Sequence, residues 1–114
     1  MTEPPVHLLE ALASFEEQRR YIVGASTSEY LLPEEIVNDA WHFCERVERQ
    51  EIYFSLTEEQ REAVARLKEA IKADGECLER CWSSEHLIEI DPAWARLRQS
   101  ARDALNAFGG AVPD

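Results

Sequence analysis

The chain is poor in the residues that interrupt helices. Only 4 of its 114 residues are Gly and 5 are Pro, and most of them stand where a helix is expected to begin or end. It also has no apolar run of the roughly 20 residues that a membrane-spanning helix needs. The N-terminal residues lack the basic region and apolar stretch of a secretory signal. We therefore expect a helical protein of the cytoplasm.

Basic residues are scarce as well. The chain has 12 Lys and Arg against 23 Asp and Glu, which gives a formal net charge of −11. Because phosphate groups repel such a chain, we expect neither nucleic acid nor an anionic membrane as a partner. The acid is concentrated, since residues 29–62 have a net charge of −7 and residues 74–91 of −5, against +1 for residues 92–114. One face or end of the fold should be strongly negative.

Cysteine is limited to Cys44, Cys77 and Cys81. An odd number without a signal peptide predicts reduced thiols in the cytoplasm. On a helix, Cys77 and Cys81 stand one turn apart, where two thiols can bind a metal ion together with Glu85 or His86. Small buried core residues are the more ordinary interpretation of this pair, and we prefer it. No metal or cofactor is predicted.

What the chain does have is helical periodicity. Apolar residues make up 45% of it, enough for one modest core at this length, so we predict a single helical domain over residues 1–114. Apolar faces recur over four segments, namely 5–23, 33–50, 58–82 and 92–108. Short links between them predict an all-α fold, a four-helix antiparallel bundle with a long third helix. Residues 83–90 read as a loop or one helical turn.

The second segment, residues 33–50, is the most cleanly divided into an apolar and a polar side. It is the expected central helix, with Trp41 in the core. The third helix begins at Thr57, which forms a capping-box pattern with Gln60. We favour one continuous helix to residue 82 because the apolar period keeps its phase beyond Gly75. A break near Gly75 is the alternative.

Two charged residues interrupt apolar faces. Arg19 lies within the apolar side of the first helix, and Asp74 occupies a core position of the third. Since an unpaired buried charge is costly, one hypothesis is an ion pair between them. In the other, Arg19 reaches water and Asp74 lies at a frayed or broken helix.

No motif selects a catalytic centre. Asp39-Ala-Trp-His42 resembles one acid-x-x-His element of the di-iron carboxylate bundles. That family needs two such elements and two more carboxylates, all facing the core, whereas this chain has one copy on a polar face. We therefore expect no enzymatic activity. A small metal- or thiol-dependent enzyme is the least favoured alternative.

The favoured interpretation is a small acidic module that binds a basic protein. Its expected binding residues are aromatic anchors in the connecting segments and the acidic residues that flank them: Glu29, Tyr30, Glu51, Tyr53, Phe54, Glu58 and Glu59. The chain is similar in size, charge and helix content to the colicin-type immunity proteins, although it has no counterpart to their Tyr-Tyr-Pro element. The resemblance implies an inhibitor or immunity-type protein that neutralises a toxin or nuclease. The alternative is a self-associating structural or regulatory bundle, a homodimer packed through the third helix.

Overall fold

The structure, a computed structural model, describes residues 5–24, 32–49, 56–80 and 83–109. These ranges contain helices and the links between them, and no strand. The all-α prediction is confirmed. None of the helices in the described ranges combines the length and the apolar character needed to cross a membrane.

The helices vary widely in length. A 3₁₀ turn at Val6–Leu9 leads into α1 (Glu10–Ala13), and α2 (Phe15–Gln18) continues as a π-helical turn (Arg19–Val23). The remaining helices are α3 (Pro33–Arg49), α4 (Glu58–Asp74), α5 (Cys77–Arg80), α6 (Ser84–Glu89) and α7 (Pro92–Ala107). The three long helices, α3, α4 and α7, match three of the four predicted segments.

The first predicted helix is interrupted at Ser14. Its backbone is extended, with φ −101° and ψ 107°, and its Oγ accepts a hydrogen bond from the Glu17 amide at 3.1 Å. Ser14 thus acts as the N-cap of α2 and separates it from α1. The prediction of one continuous first helix is wrong because a serine cap satisfies the backbone of a new helix start inside the apolar pattern.

The third predicted helix is broken near Gly75, so the favoured continuous helix is wrong and its alternative is confirmed. Gly75 is the C-cap of α4, and its amide donates to Ile71 O at 2.9 Å. A Cβ added to Gly75 would lie 2.6 Å from that same carbonyl oxygen. The chain therefore turns at the one residue of this stretch that has no side chain.

Local caps begin α4 and α7, and the cap of α4 is the one predicted. Thr57 and Gln60 form the complete capping box, with hydrogen bonds of 3.1 and 2.9 Å. Asp91 caps α7 by accepting from the Ala93 amide at 2.8 Å, with Pro92 in the first helical turn. Beyond the end of α7, Gly109 adopts a φ of +74°, which a glycine accommodates without strain.

The core is organised around α7. This helix packs against α1, α4, α6 and the 3₁₀ turn, and it carries the fully buried Trp94. Trp41 of α3 is only half-buried, with Lys68 Nζ lying 5.0 Å from its ring centroid. The expectation that Trp41 sits in the core of a central α3 is wrong, because its ring lies at the edge where a lysine side chain reaches it.

The proposed ion pair between Arg19 and Asp74 is also wrong. Arg19 Nε lies 3.0 Å from a carboxylate oxygen of Glu89, and the Arg19 side chain is largely exposed. Asp74 instead accepts two hydrogen bonds from Arg96, at 2.8 and 3.1 Å. The other hypothesis agrees with the structure: Arg19 reaches the surface, and Asp74 is the last residue of α4 before the break, with its mostly buried carboxylate paired to Arg96.

Candidate functional site

The short helix α6 forms because a serine caps it and an apolar pair anchors it. The Ser83 side chain satisfies an amide at the N-terminus of α6. Leu87 and Ile88 are buried against the core, whereas Glu85 and Glu89 are exposed. Held by one apolar edge, α6 therefore presents carboxylates to solvent.

One cavity, of about 640 Å³, lies between α6 and the π-helical turn. Its lining combines two arginines, three glutamates and apolar carbon: Phe15, Glu16, Arg19, Arg20, Val23, Gly24, Glu85 and Glu89. Arg19 is paired with Glu89, and Arg20 lies 3.4 Å from Glu16. Glu85 takes part in no ion pair among the described residues, so the cavity retains a carboxylate for an external cation.

A second cavity, of about 300 Å³, lies on the other side of α6. Its lining comes from the start of α3, from α5 and from α6: Leu32, Pro33, Glu34, Leu78, Ser83, Ser84 and Leu87. Three leucines give it an apolar wall, and Glu34 is exposed. Both cavities therefore combine apolar surface with an exposed carboxylate.

Exposed apolar side chains mark the same surface. Within the described ranges, the large hydrophobic residues that are exposed are Val23, Leu32 and Ile90, at 38%, 42% and 66%. Val23 lines the first cavity, Leu32 lines the second, and Ile90 directly follows α6. We name the two cavities and Ile90 together the α6 face. Clustered apolar groups with a polar rim are typical of interaction sites.

The α6 face brings together residues from both acidic stretches of the sequence. Glu34 belongs to the first stretch, and Glu85 and Glu89 to the second. The linings of the two cavities carry four carboxylates and two guanidinium groups, namely Glu16, Glu34, Glu85, Glu89, Arg19 and Arg20. A cation near this face meets mostly negative charge, which raises its local concentration.

The residues predicted to bind a partner fall into two groups. Five of them lie outside the described residues: Glu29, Tyr30, Glu51, Tyr53 and Phe54. Glu58 and Glu59 are exposed in the first turn of α4. A small cavity near that turn is lined by Leu56 and Arg61 together with Val47 and Glu48 from the end of α3.

This small cavity and the α6 face lie at opposite ends of α3. Pro33, the first residue of α3, lines the second cavity, whereas Val47 near its end lines the small one. The 17 residues of α3 extend about 25 Å at a rise of about 1.5 Å each. The structure therefore does not bring Glu58 and Glu59 to the α6 face.

Sequence reasoning missed the α6 face as a site. One local signal was available: Ser83 precedes an acidic first turn and the apolar pair Leu87-Ile88, which is the pattern of a capped, anchored helix. The two cavities have no local signal, because they depend on which distant segments become neighbours.

The structure describes two of the three cysteines. Cys44 and Cys77 are buried, and Cys81 lies outside the described residues. Burial, followed by the charge of Glu48, raises the pKa of the Cys44 thiol to about 12. Its Sγ lies 3.8 Å from Val64 O, the acceptor of its weak hydrogen bond. A neutral buried thiol is a poor nucleophile and a poor metal ligand.

In the ranges that the structure describes, no group of three or more His, Cys, Asp and Glu side chains could hold a metal ion. Asp39 and His42 are both exposed, on the polar side of α3.

Comparison with known proteins adds no assignment. No family model, no curated protein and no solved structure matches the chain.

Proposed function

We propose that this protein is a small acidic interaction module that covers a basic protein partner with its α6 face. The observation that carries the proposal is that Val23, Leu32 and Ile90, all exposed, lie beside carboxylates on the two sides and at the end of α6. Apolar anchors surrounded by polar groups are the usual anatomy of a protein interface. Negative charge around them speeds the encounter with a basic partner and disfavours acidic competitors.

The carboxylates of the α6 face define the chemistry of that partner. Neither Glu34 nor Glu85 forms an ion pair with another described residue, whereas Glu89 is occupied by Arg19. Glu34 and Glu85 are therefore the carboxylates that can pair with a lysine or arginine of the partner. The partner should present those cations beside an apolar side chain that contacts Ile90 or enters one of the cavities.

An inhibitor of the immunity type is the function that fits this chemistry best, with a basic toxin or nuclease as the partner. We also propose that the fold is a four-helix antiparallel bundle in which α1 and α2 together take the place of the first helix. We further propose that the protein is cytoplasmic and that it catalyses no reaction itself.

Affinity capture followed by binding kinetics tests the proposal. The immobilised protein is used to isolate a partner from its own cells, and the partner is then purified and identified. We expect a basic protein whose association rate falls at least tenfold between about 0.05 and 0.3 M salt, since steering is screened over the Debye length. An acidic partner, or an association rate that is insensitive to salt, would reject the proposal.

Light scattering separates this proposal from self-association. We expect a monomer across the accessible concentration range, because carboxylates on the α6 face repel those of a second copy. A dimer that the change Ile90→Ser dissociates would instead assign the α6 face to contact between copies of the chain.

A further inference from the structure

The first cavity of the α6 face joins apolar carbon to negative charge. Phe15 and Val23 give it an apolar wall, and the Val23 side chain is exposed. Its described lining also holds three glutamates and two arginines, which leaves a formal charge of −1. Its volume of about 640 Å³ lies within the range of about 300–1,000 Å³ that is typical of ligand pockets. The cavity therefore has room, apolar surface and one negative charge for an occupant.

Among the described residues, Glu85 is the carboxylate of this cavity that has no cation as a partner. Arg19 Nε lies 3.0 Å from Glu89, and Arg20 Nη2 lies 3.4 Å from Glu16. Glu85 is exposed and stands one turn before Glu89 on α6, a spacing at which two carboxylates repel each other. A cation beside Glu85 relieves this repulsion and cancels the charge of the lining.

The cavity already holds one guanidinium, and this arrangement indicates which cation fits it. Arg19 pairs with Glu89, and its Cζ lies 5.7 Å from the centroid of the Phe15 ring. A carboxylate and apolar carbon thus contact the same arginine. An arginine side chain has two matching parts, namely a planar guanidinium that fits a carboxylate and methylene groups that pack on apolar surface. Glu85 and Val23 offer the same two kinds of contact to a second arginine.

We propose that the first cavity binds the side chain of an arginine of the basic partner, with its guanidinium on Glu85 and its methylene groups against Val23. This inference rests on the proposed function and deepens it, because it assigns the partner's cation to one cavity and to one residue type. The apolar side chain of the partner then contacts Ile90 or enters the second cavity.

Titration with a blocked arginine tests the site without the partner. The probe is Nα-acetyl-arginine methylamide, and the control ligand is its citrulline analogue, which has nearly the same shape and no charge. Backbone amide signals of ¹⁵N-labelled protein are followed at neutral pH and constant ionic strength, with sodium chloride replacing the probe. We expect saturable shifts at residues 15–24 and 84–89, and an affinity for the citrulline analogue that is about threefold weaker or more.

Two variants locate the guanidinium. Glu85→Gln removes the charge of the unpaired carboxylate and should weaken binding of the blocked arginine about threefold or more. Glu34→Gln is the matched control, since Glu34 is also exposed in the first turn of a helix but lines the second cavity. It should leave the affinity unchanged. Circular dichroism establishes that each variant is folded, and the comparison of the two ligands on the parent protein needs neither variant.

Several results would overturn the inference: shifts that do not saturate, equal affinities for the arginine and citrulline analogues, or equal affinities for Glu85→Gln and the parent protein. A lysine analogue that binds as tightly as the arginine analogue would also contradict it, since the guanidinium would then have no advantage. The proposed function fails separately, through an acidic partner or an association rate that is insensitive to salt. A basic, salt-sensitive partner together with no binding of the blocked arginine would reject the arginine in the first cavity and retain the α6 face as the interface.

Discussion

Gln18 holds the N-terminal helices onto the rest of the fold. It is fully buried, and its Nε2 donates to Ala11 O and Leu12 O at 3.0 and 2.7 Å. Its Oε1 accepts from Trp94 Nε1 at 3.0 Å and from Arg98. One side chain thus satisfies the carbonyls at the end of α1 and joins them to α7. Among the described residues, no buried side-chain nitrogen or oxygen lacks a hydrogen-bond partner.

Replacing Gln18 by leucine keeps the volume and removes the network. The carbonyls of residues 11 and 12 and the indole N–H of Trp94 lose a partner, and each buried unsatisfied group costs about 1–3 kcal/mol. We expect Gln18→Leu to lower the free energy of unfolding by about 3–5 kcal/mol in urea denaturation. Gln99→Leu, at an exposed position of α7, should change it by less than about 0.5 kcal/mol. A loss below about 1 kcal/mol for Gln18→Leu would refute this role.

Burial of the Cys44 thiol makes the stability of the folded protein depend on pH. Its thiol pKa rises from 9.0 to about 12 in the folded protein, mainly through burial. Below pH 9 the thiol is protonated in both states and stability is unaffected. Between pH 9 and 12 the unfolded chain releases the proton while the folded protein retains it. Stability therefore falls as pH rises, by about 1.4 kcal/mol per pH unit.

The change Cys44→Ala isolates the contribution of the Cys44 thiol to the pH dependence of stability. Unfolding free energies of the parent and the variant are measured at about pH 8 and about pH 10, so that other titrating groups cancel in the difference. We expect the parent to lose about 1.4 kcal/mol more than the variant between these two values. Parallel losses in the two proteins would show that Cys44 does not titrate as proposed.

At the scale of the elements, the sequence predicts helix ends wherever the cap is local. Thr57 and Asp91 carry such a signal, since each cap and the amide that it satisfies are three or fewer residues apart. Ser14-Phe-Glu-Glu17 carries the same kind of signal, but it lies within an unbroken apolar period that outweighs it. The sequence does not predict that Gln18 meets Trp94, or that α6 meets the start of α3. Those contacts depend on tertiary packing, and so does the α6 face.

The change Gly75→Ala distinguishes a continuous third helix from one that is broken at Gly75. In a continuous helix, Gly75→Ala would stabilise the protein by about 1 kcal/mol through helix propensity. In the structure, the new Cβ lies 2.6 Å from Ile71 O and the backbone must shift. We expect Gly75→Ala to cost about 1 kcal/mol or more in thermal or urea unfolding. The control Ala73→Gly, inside α4, should cost about 1 kcal/mol in either description.

At the scale of the whole molecule, the two acidic stretches of the sequence meet at the α6 face. Glu34 of the first stretch and Glu85 and Glu89 of the second line its cavities, together with Arg19 and Arg20. Glu58 and Glu59, the predicted binding residues that the structure describes, stand near the small cavity at the other end of α3.

Two double charge reversals test which of these two places binds the partner, the α6 face or the start of α4. Glu34→Lys with Glu85→Lys alters the α6 face, and Glu58→Lys with Glu59→Lys alters the start of α4. All four residues are exposed and stand in the first turn of a helix, so the changes in net charge and in helix-dipole energy are matched.

The dissociation constant for the purified basic partner is measured for both double variants, after thermal melting has established that each is folded. We expect the Glu34/Glu85 reversal to weaken binding at least tenfold, about 1.4 kcal/mol, and the Glu58/Glu59 reversal to change it by less than about threefold. Equal weakening by the two reversals, or a larger effect at Glu58 and Glu59, would contradict binding through the α6 face.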